Sequence, residues 1–192
     1  MSPRTTEQFE QIRNERSQEI LDAALKVFAE DGYHAASISK IAKKAGISKG
    51  LLYNYFNSKE EVLKQLLSTL FKEVVETMQL EDINLTDTTM SKFIDDTFDI
   101  LDKKRSYWKL YFSMVSQKEV NEVSRDVMLP KIMPFIEKMI TYFAAKEHED
   151  PASYMRYFMA SMDGAKMQYL FDPNNFPIEK VKYYIKQEFI NP

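Results

Sequence analysis

Apolar residues recur every three or four positions along most of the chain, which is the spacing that places them on one face of a helix. In the first 78 residues this pattern predicts four helices, at about 10–30, 38–45, 49–56 and 58–78. Asp31-Gly32 is a typical end for the first helix. Ser58, with Glu61 three residues later, predicts a capping box at the start of the fourth helix. The residues before the first helix are predicted to form a frayed arm, from which Arg4 could reach a minor groove.

The helical spacing continues to the C-terminus with interruptions. Residues 79–89 are polar and predict a loop, whereas Pro130 and Pro134 predict a break or a kink. Asp150-Pro151 is typical of a helix start, since proline fits the first helical turn. The remaining helices are predicted at about 93–101, at 107–114, after the prolines as far as Lys146, at 151–171 and at 177–189. Because glycine is scarce, at four residues, and β-branched runs are sparse, the chain is predicted to be all-α.

The stretch from Ser37 to Lys59 reads SISKIAKKAGISKGLLYNYFNSK and predicts a short helix, a tight turn and a second short helix. Gly46 stands at the turn, where glycine adopts a positive φ without steric cost. Ser48 follows as a cap for the second helix. Five lysines and no Asp or Glu lie between Gly32 and Lys59. A compact cationic helix-turn-helix fits a DNA major groove, although a helical hairpin with solvated lysines has the same pattern.

This region resembles a known protein family. The string IAKKAGISKGLLYNYFNSKEEVL is similar to the N-terminal signature of TetR-family transcriptional repressors, and the preceding QEILDAALKVFAEDGYHAASI resembles the first helix of that family and the connection after it. The resemblance covers about residues 16–66. It implies an N-terminal three-helix, helix-turn-helix DNA-binding domain over residues 1–57. It also implies a C-terminal helical domain for ligand binding and dimerisation over residues 58–192.

Side chains of the predicted turn and second helix are candidates for contact with DNA. Lys49 opens the recognition helix, where side chains reach bases or phosphates, and Gly50 leaves room for close approach of the backbone. Asn54 could pair with adenine, although the family usually has Tyr and then His where this chain has Asn54 and Tyr55. The resemblance implies a phosphate contact for Lys59. The predicted DNA-binding residues are Ser37, Lys44, Ser48, Lys49, Gly50, Tyr53, Asn54, Tyr55 and Lys59.

The second half of the chain is rich in aromatic residues and methionine, with eight of the eleven methionines from position 114 onward. Methionine repacks easily and suits an adaptable apolar pocket, but it also fills ordinary cores. The family resemblance implies an effector site in this part of the chain, and its apolar character favours a small apolar molecule. The predicted ligand-binding residues are Trp108, Tyr111, Phe112, Met133, Met139, Tyr142, Met159 and Met162.

The last two predicted helices carry broad apolar stripes, marked by residues such as Phe158 and Met162 in the first and Val181 and Ile185 in the second. Core packing within one subunit explains such stripes. The family resemblance implies instead that the two helices pair with their copies in a homodimer. A dimer also fits DNA recognition, since one short recognition helix reads few base pairs and a palindromic operator offers two half-sites.

Composition narrows the classes of function. The net charge is −3, but residues 1–59 carry nine basic and seven acidic side chains (+2), and the remainder carries 17 and 22 (−5). There is no cysteine, and His34 and His148 have no neighbours at metal-ligand spacing. No phosphate-binding glycine loop or nucleophile elbow is present. The sequence therefore predicts no enzyme activity, cofactor or metal.

Because no apolar run approaches the ~20 residues of a membrane span, we predict a cytoplasmic protein without a membrane partner.

The predicted function is a ligand-responsive dimeric repressor that binds a palindromic operator in double-stranded DNA and leaves it when a small apolar effector binds. The alternative is a helical protein-interaction module whose cationic hairpin binds an acidic protein partner. Salt-dependent, sequence-specific binding to duplex DNA separates the two hypotheses. The sequence leaves open the operator, the regulated genes, the effector and the choice between repression and activation.

Overall fold

The computed structural model describes residues 6–191, apart from the side chains at positions 6, 73 and 106. Within these residues the regular structure consists of helices alone, which confirms the all-α prediction. The helices are α1 (Thr6–Asp31), α2 (Ile38–Lys44), α3 (Lys49–Tyr53), α4 (Lys59–Thr77), α5 (Asp87–Lys103), α6 (Arg105–Val115), α7 (Lys118–Ala144), α8 (Pro151–Phe171) and α9 (Ile178–Phe189). None of them has the length and apolar character needed to cross a membrane.

Two helices begin earlier than the sequence predicts. α1 already starts at Thr6, inside the predicted arm, while the rest of that arm, with Arg4, lies outside the described residues. α5 starts at Asp87, inside the predicted loop. The cause is a reciprocal cap in which the Thr89 N–H donates to the Thr86 hydroxyl and the Thr86 N–H donates to the Thr89 hydroxyl. Of the capping box expected at α4, one half is present, since the Glu61 N–H donates to the Ser58 hydroxyl over 3.0 Å, whereas the Glu61 carboxylate accepts from the Asn57 N–H over 2.6 Å.

α7 continues through Pro130 and Pro134, so of the break or kink predicted there the break is wrong and the kink stays a prediction. Each proline lacks an N–H donor and leaves the carbonyl four residues earlier without its helical partner. Those carbonyls belong to Asp126 and Pro130, and because both residues are exposed, water can bind them. Phe135 and Met139 are buried on the other side of the same helix, and their packing helps to hold it together.

Contacts divide the chain into two compact units. The first, which we call the head, contains the described residues up to Leu70 together with Ser113–Val127. Gln117 connects the later segment to the α1–α2 turn, because its amide oxygen accepts from the Tyr33 N–H over 2.6 Å and its amide nitrogen donates to the Phe28 carbonyl over 3.3 Å. The most buried side chains of the head include Ile20, Phe28, Ile41, Leu52, Leu63, Leu66, Leu67, Met114 and Val120.

The second, which we call the C-terminal unit, contains Phe71–Phe112 and the described residues from Met128 onward. Its core is largely aromatic. Phe158 packs against Phe143 at 6.0 Å and against Phe189 at 5.2 Å between ring centroids, and all three rings are almost fully buried. The predicted domain boundary after residue 57 stays a prediction. The compact units divide within α4 instead, because the α4 stripe as far as Leu70 is buried in the head.

Candidate DNA-binding surface and effector site

Two short helices and the turn between them form the candidate reading surface, and serine caps hold both helices. The Ser37 hydroxyl accepts from the Lys40 N–H over 3.2 Å, and the Ser48 hydroxyl accepts from the Leu51 N–H over 3.1 Å. Gly46 lies in the turn, two residues after the end of α2. Its φ of +67° is in the left-handed region that glycine tolerates. Each serine accepts through its oxygen, so its own O–H remains available to a phosphate.

The predicted recognition residues are on the surface. Tyr53 and Asn54 are exposed, and the Lys49 ammonium lies 5.8 Å from the centre of the Tyr53 ring. A Cβ added to Gly50 would meet nothing closer than the Ser48 hydroxyl at 4.0 Å, so this side of α3 is open to a ligand backbone. Leu51 is also exposed, and the sequence prediction missed it. Its apolar side chain on the recognition helix is the kind that contacts a thymine methyl group.

Not all the lysines of the hairpin are free cations. The Lys40 ammonium lies 2.8 Å from the Asp31 carboxylate, and the Lys44 ammonium lies 3.0 Å from that of Glu30. Both acids end α1, before the acid-free stretch that the sequence singled out. The pairs are exposed and so contribute little stability, but they lower the net charge that this part of the surface offers to DNA. The predicted contact of Lys44 with DNA therefore competes with an ion pair.

Lys59 opens α4 and contacts the α1–α2 turn, and its predicted phosphate contact stays a prediction. Its ammonium lies 2.7 Å from the Tyr33 carbonyl, 3.1 Å from that of Ala36 and 3.3 Å from that of His34. It also lies 4.3 Å from the centre of the Tyr33 ring. A lysine has three N–H donors, and here all three are directed at the α1–α2 turn. The structure thus gives Lys59 the role of holding that turn, and a phosphate contact would require it to leave these carbonyls.

Arg13 on α1 is a second residue that the sequence prediction missed. Its guanidinium lies 5.7 Å from the centre of the Tyr55 ring, beside the end of the recognition helix. The signal in the sequence was the helical spacing, since Arg13 lies seven residues before the buried Ile20 and therefore on the same side of α1. The apolar stripe predicted for α1 starts at Ile20 and so does not include Arg13, which lies on the same side of the helix.

The predicted effector residues all lie in the C-terminal unit, in different environments. Met139 and Met162 are buried, with exposed fractions of 0% and 1%, as are Tyr111 and Tyr142. Trp108, Phe112 and Met159 are partly buried, and Met133 is exposed. Six of the eight, all except Tyr111 and Met133, belong to the core of this unit or pack against it, and none of the eight lines two surface depressions found in the described residues. The depressions have volumes of about 710 and 370 Å³ and lie along residues 148–157 and 77–96.

One polar cluster interrupts the apolar environment of Trp108. Arg105 donates to the Asp102 carboxylate and, over 3.1 Å, to the Tyr169 hydroxyl, which itself donates to Asp102 over 2.5 Å. The Tyr169 hydroxyl and the Arg105 guanidinium lower the pKa of Asp102, whereas burial raises the pKa of Tyr169. The Arg105 Nε–H and the Trp108 Nε1–H are buried without a hydrogen-bond partner in the described structure. Because they are three residues apart, both donors lie on one face of α6.

The outer surface of α8 and α9 carries exposed aromatic residues. Tyr157, Phe171, Tyr183 and Tyr184 are all about half exposed or more, and Met167 is similar. The stripe predicted to form a dimer seam is instead directed inward, since Phe158, Met162, Ile185 and Phe189 are buried within this one chain. Packing inside the subunit thus explains these four buried residues, and the predicted dimer contact through α8 and α9 stays a prediction.

Neither histidine belongs to a metal site in the described residues, where no group of three acidic or histidine side chains could hold an ion. His34 lies 2.6 Å from the Glu119 carboxylate in the head. His148 stacks on Tyr154 with the ring centroids 3.7 Å apart. A backbone hydrogen bond within Glu119 and then the contact with His34 lower the pKa of Glu119. His34 thus makes an exposed contact with a carboxylate, and His148 makes a stacking contact.

Comparisons with known proteins agree with the geometry of the head. Residues 20–66 match the model of the bacterial regulatory proteins of the tetR family. The fatty acid metabolism regulator protein of Bacillus subtilis is 43% identical over 74 residues, which are 38% of this chain and 38% of that relative. The transcriptional activator FasR of Mycolicibacterium smegmatis is 32% identical over 102 residues, or 52% of this chain and 47% of that relative. The matches thus span less than half the length of these relatives.

The likeness of fold extends beyond the head. The crystal structure of the transcriptional regulator FadR from Bacillus subtilis in complex with stearoyl-CoA matches 90% of this chain and 97% of its own, with a TM-score of 0.72 and 19% identity. At that identity the match shows the fold alone. The relatives are transcriptional regulators and not enzymes. The helix-turn-helix is thus matched at residue level by the TetR family of bacterial transcriptional regulators over residues 20–66, and the remaining helices are matched in fold.

Proposed function

We propose that this protein is a homodimeric repressor that binds a palindromic operator and leaves it when an effector binds. The observation that carries the proposal is the α2–turn–α3 surface, where Lys49, Tyr53 and Asn54 are exposed on a capped recognition helix. An acidic protein partner would need only the positive charge. The open backbone at Gly50 and the exposed Leu51 suit the close approach and apolar base contacts of a DNA groove.

The outer face of α8 and α9 supports the dimer. Gly164 and Ala160 lie on the α8 face that also carries Tyr157 and Phe171, and a Cβ added to Gly164 would meet nothing within 4 Å. A glycine inside an exposed helix destabilises the helix by about 1 kcal/mol relative to alanine, so a glycine here is expected to have a packing role. Close approach of the same helix from a second copy supplies that role, with the aromatic residues packing around the small ones.

For the effector we propose a molecule with a long acyl chain and a carbonyl oxygen near one end. The Bacillus subtilis relative is a fatty acid metabolism regulator, and the matched crystal structure contains stearoyl-CoA. In this chain, the aromatic and methionine side chains around Trp108 suit an acyl chain. The unpartnered N–H groups of Arg105 and Trp108 suit a carbonyl oxygen, because a buried donor without an acceptor costs free energy.

We propose that release follows from different affinities for two conformations. An effector that binds the DNA-incompetent conformation about 100-fold better supplies about 2.7 kcal/mol of coupling, which is within the range of known allosteric proteins. α4 contributes residues to both compact units and is our candidate for the element that carries the signal. Linkage then requires operator DNA to weaken effector binding by the same factor.

The first experiment is selection of duplexes from a random library by the purified full chain, followed by sequencing of the retained fragments. We expect a palindromic consensus and salt-dependent binding to it. Retention without sequence preference, or capture of acidic protein with no affinity for duplex DNA, would contradict the proposal. A reporter gene placed behind the selected operator then tests repression, since one relative is an activator.

The second experiment uses the fluorescence of Trp108, the only tryptophan. Stearoyl-CoA is titrated with and without operator, with free coenzyme A and stearyl alcohol as controls that lack the acyl chain and the carbonyl oxygen, respectively. We expect quenching by stearoyl-CoA that operator weakens about 100-fold, and weaker binding of both controls. Equal affinity with and without operator would contradict the regulatory part of the proposal, and tight binding of the alcohol would contradict the role of the carbonyl.

A further inference from the structure

We infer that Arg13 contacts a DNA phosphate, so that the DNA-binding surface extends beyond the helix-turn-helix onto the N-terminal part of α1. The inference rests on the proposed DNA-binding function. Its basis is the position of the Arg13 guanidinium, 5.7 Å from the centre of the Tyr55 ring, which lies directly after the exposed end of the recognition helix.

α1 extends beyond the head core on the side of Arg13. The buried stripe of α1 runs back as far as Ile20, which has an exposed fraction of 0%. Arg13 lies two helical turns earlier on the same side, and Phe9 and Ile12 near it are 58% and 42% exposed. The two turns of α1 that precede Ile20 therefore extend beyond the core and bring Arg13 close to the C-terminal end of the recognition helix. Packing of the core does not account for these turns, because their side chains are exposed.

The contact with Tyr55 orients Arg13 without occupying its hydrogen-bond donors. A cation–π contact takes up no N–H donor, so the five donors in the plane of the guanidinium remain available. This plane matches a phosphate, which arginine binds with two parallel hydrogen bonds. Tyr55 is itself a predicted DNA-binding residue, and its hydroxyl can donate a hydrogen bond to a phosphate. Arg13 and Tyr55 could therefore bind adjacent phosphate oxygens of one DNA strand.

The charges around Arg13 favour the same role. Within the described residues no carboxylate pairs with Arg13, whereas Arg16, one turn later, lies 2.5 Å from Glu19. Lys40 and Lys44 of the hairpin are paired with Asp31 and Glu30. A cation without a carboxylate partner releases more counterions from DNA than one that must first leave an ion pair. Arg13 is therefore a stronger candidate for a phosphate than either paired lysine.

The test compares Arg13→Gln with Arg16→Gln, which makes the same change on the same helix at an arginine that already has a partner. Arg13→Lys keeps the charge and loses the planar fork. Binding of each full-length variant to the selected operator and to an unrelated duplex is measured by fluorescence anisotropy between about 50 and 200 mM salt. Thermal unfolding of each variant shows that the fold is retained.

We expect Arg13→Gln to reduce the slope of log affinity against log salt by about one unit per protomer and to weaken both duplexes alike, by about tenfold. Arg16→Gln should match the wild type, and Arg13→Lys should keep the slope. A Gln variant with an unchanged slope overturns the inference, whether or not its affinity falls, because Arg13 would then only support Tyr55. Loss of the slope in Arg13→Lys as well would overturn the role of the charge. A wild type that binds no duplex overturns the proposed function, and the inference with it.

Discussion

The head and the C-terminal unit position their important side chains by different means. In the head, Ser37 and Ser48 each cap a helix by bonding a backbone N–H only three residues away. In the C-terminal unit, the Tyr142 hydroxyl donates to Asp87, which is 55 residues away, and Arg105 bonds Tyr169, which is 64 residues away. A surface built from local bonds can be recognised in a short string of sequence. A site built from distant partners becomes visible only when the chain is folded.

The comparisons with relatives follow the same division. Residue-level similarity to the family model is confined to residues 20–66, where the local caps and the turn lie. Over 90% of the chain only the fold is shared with the Bacillus subtilis structure, at 19% identity. Many apolar sequences can form helices of similar length and order, because core packing depends on the total side-chain volume and the apolar pattern more than on particular residues. The C-terminal unit is thus where relatives are free to differ in sequence.

The largest effect is expected from the outer face of the C-terminal unit. Tyr184→Glu places a charge on the most exposed aromatic residue of α9, at 61%, and should convert dimers to monomers without unfolding them. Operator affinity should then fall about 100-fold or more, because the two heads no longer bind as one molecule. Analytical ultracentrifugation and operator titration measure both effects.

Leu129→Glu is the control for that variant, since it places the same charge on an exposed apolar residue of α7. It should leave the dimer intact. A dimer that survives Tyr184→Glu and dissociates with Leu129→Glu would move the interface to α7. In that case the exposed aromatic residues of α8 and α9 would need another explanation.

A smaller effect, confined to DNA binding, is expected from the head. Lys49→Ala should weaken operator binding about tenfold, or about 1.4 kcal/mol, and Tyr55→Phe should weaken it less, because only one hydroxyl is lost. Neither should shift the melting temperature by much, since Lys49 is exposed and the hydroxyl removed from the half-buried Tyr55 forms no hydrogen bond in the described structure. Lys64→Ala is the control, because Lys64 is an exposed lysine already paired with Glu60. Unchanged affinity in Lys49→Ala and Tyr55→Phe would exclude this face as the DNA-binding surface.

The long-range bonds of the C-terminal unit predict a dependence of stability on pH. The Tyr142 hydroxyl, at 2.7 Å, and the Lys146 ammonium, at 2.9 Å, lower the pKa of Asp87. A carboxyl whose pKa is lower in the folded state adds stability above its unfolded pKa and loses it as the pH falls through the folded pKa. Asp87→Asn should therefore reduce the free energy of unfolding at neutral pH, and the difference from the wild type should shrink below about pH 4.

Denaturant unfolding at several pH values measures this difference. Asp99→Asn is the control on the same helix, because Asp99 is exposed and forms no bond within the described residues. A difference between Asp87→Asn and the wild type that is constant from neutral to acid pH would show that the lost bonds do not depend on the Asp87 charge.

The smallest effect is expected from Gly164. Gly164→Ala should stabilise α8 within a single subunit by up to about 1 kcal/mol. Alanine is the better helix former, and nothing in the described chain obstructs its methyl group. If two α8 helices approach at this point, the same methyl group should weaken the dimer. Stability and dimer affinity are therefore expected to change in opposite directions. A variant that gains stability and keeps its dimer affinity would show that the helices do not meet at Gly164.

Much of the fold could be predicted from the sequence, because helix ends are local events. Gly46 and Ser48 predicted the turn and the cap, which the structure confirms. The role of Lys59 could not be predicted, because its three carbonyl partners lie 23 to 26 residues earlier in the chain. The inward direction of Met162 and Phe158 was equally hidden. A broad apolar stripe has the same period whether it packs against its own subunit or against a second copy.

Gln117 has a consequence for the order in which the protein is made. It bonds Phe28 near the end of α1 and Tyr33 in the α1–α2 turn, and Met114 and Val120 on either side of it are fully buried in the head. On the ribosome, a nascent chain of 70 residues contains the whole helix-turn-helix, yet the apolar surface that Met114 and Val120 cover is still in contact with water. The reading surface is thus completed only after residues 113–127 of the head have been synthesised. A fragment that ends at Leu70 is accordingly expected to lose its cooperative melting transition, and one that ends at Val127 to be the shortest that regains it.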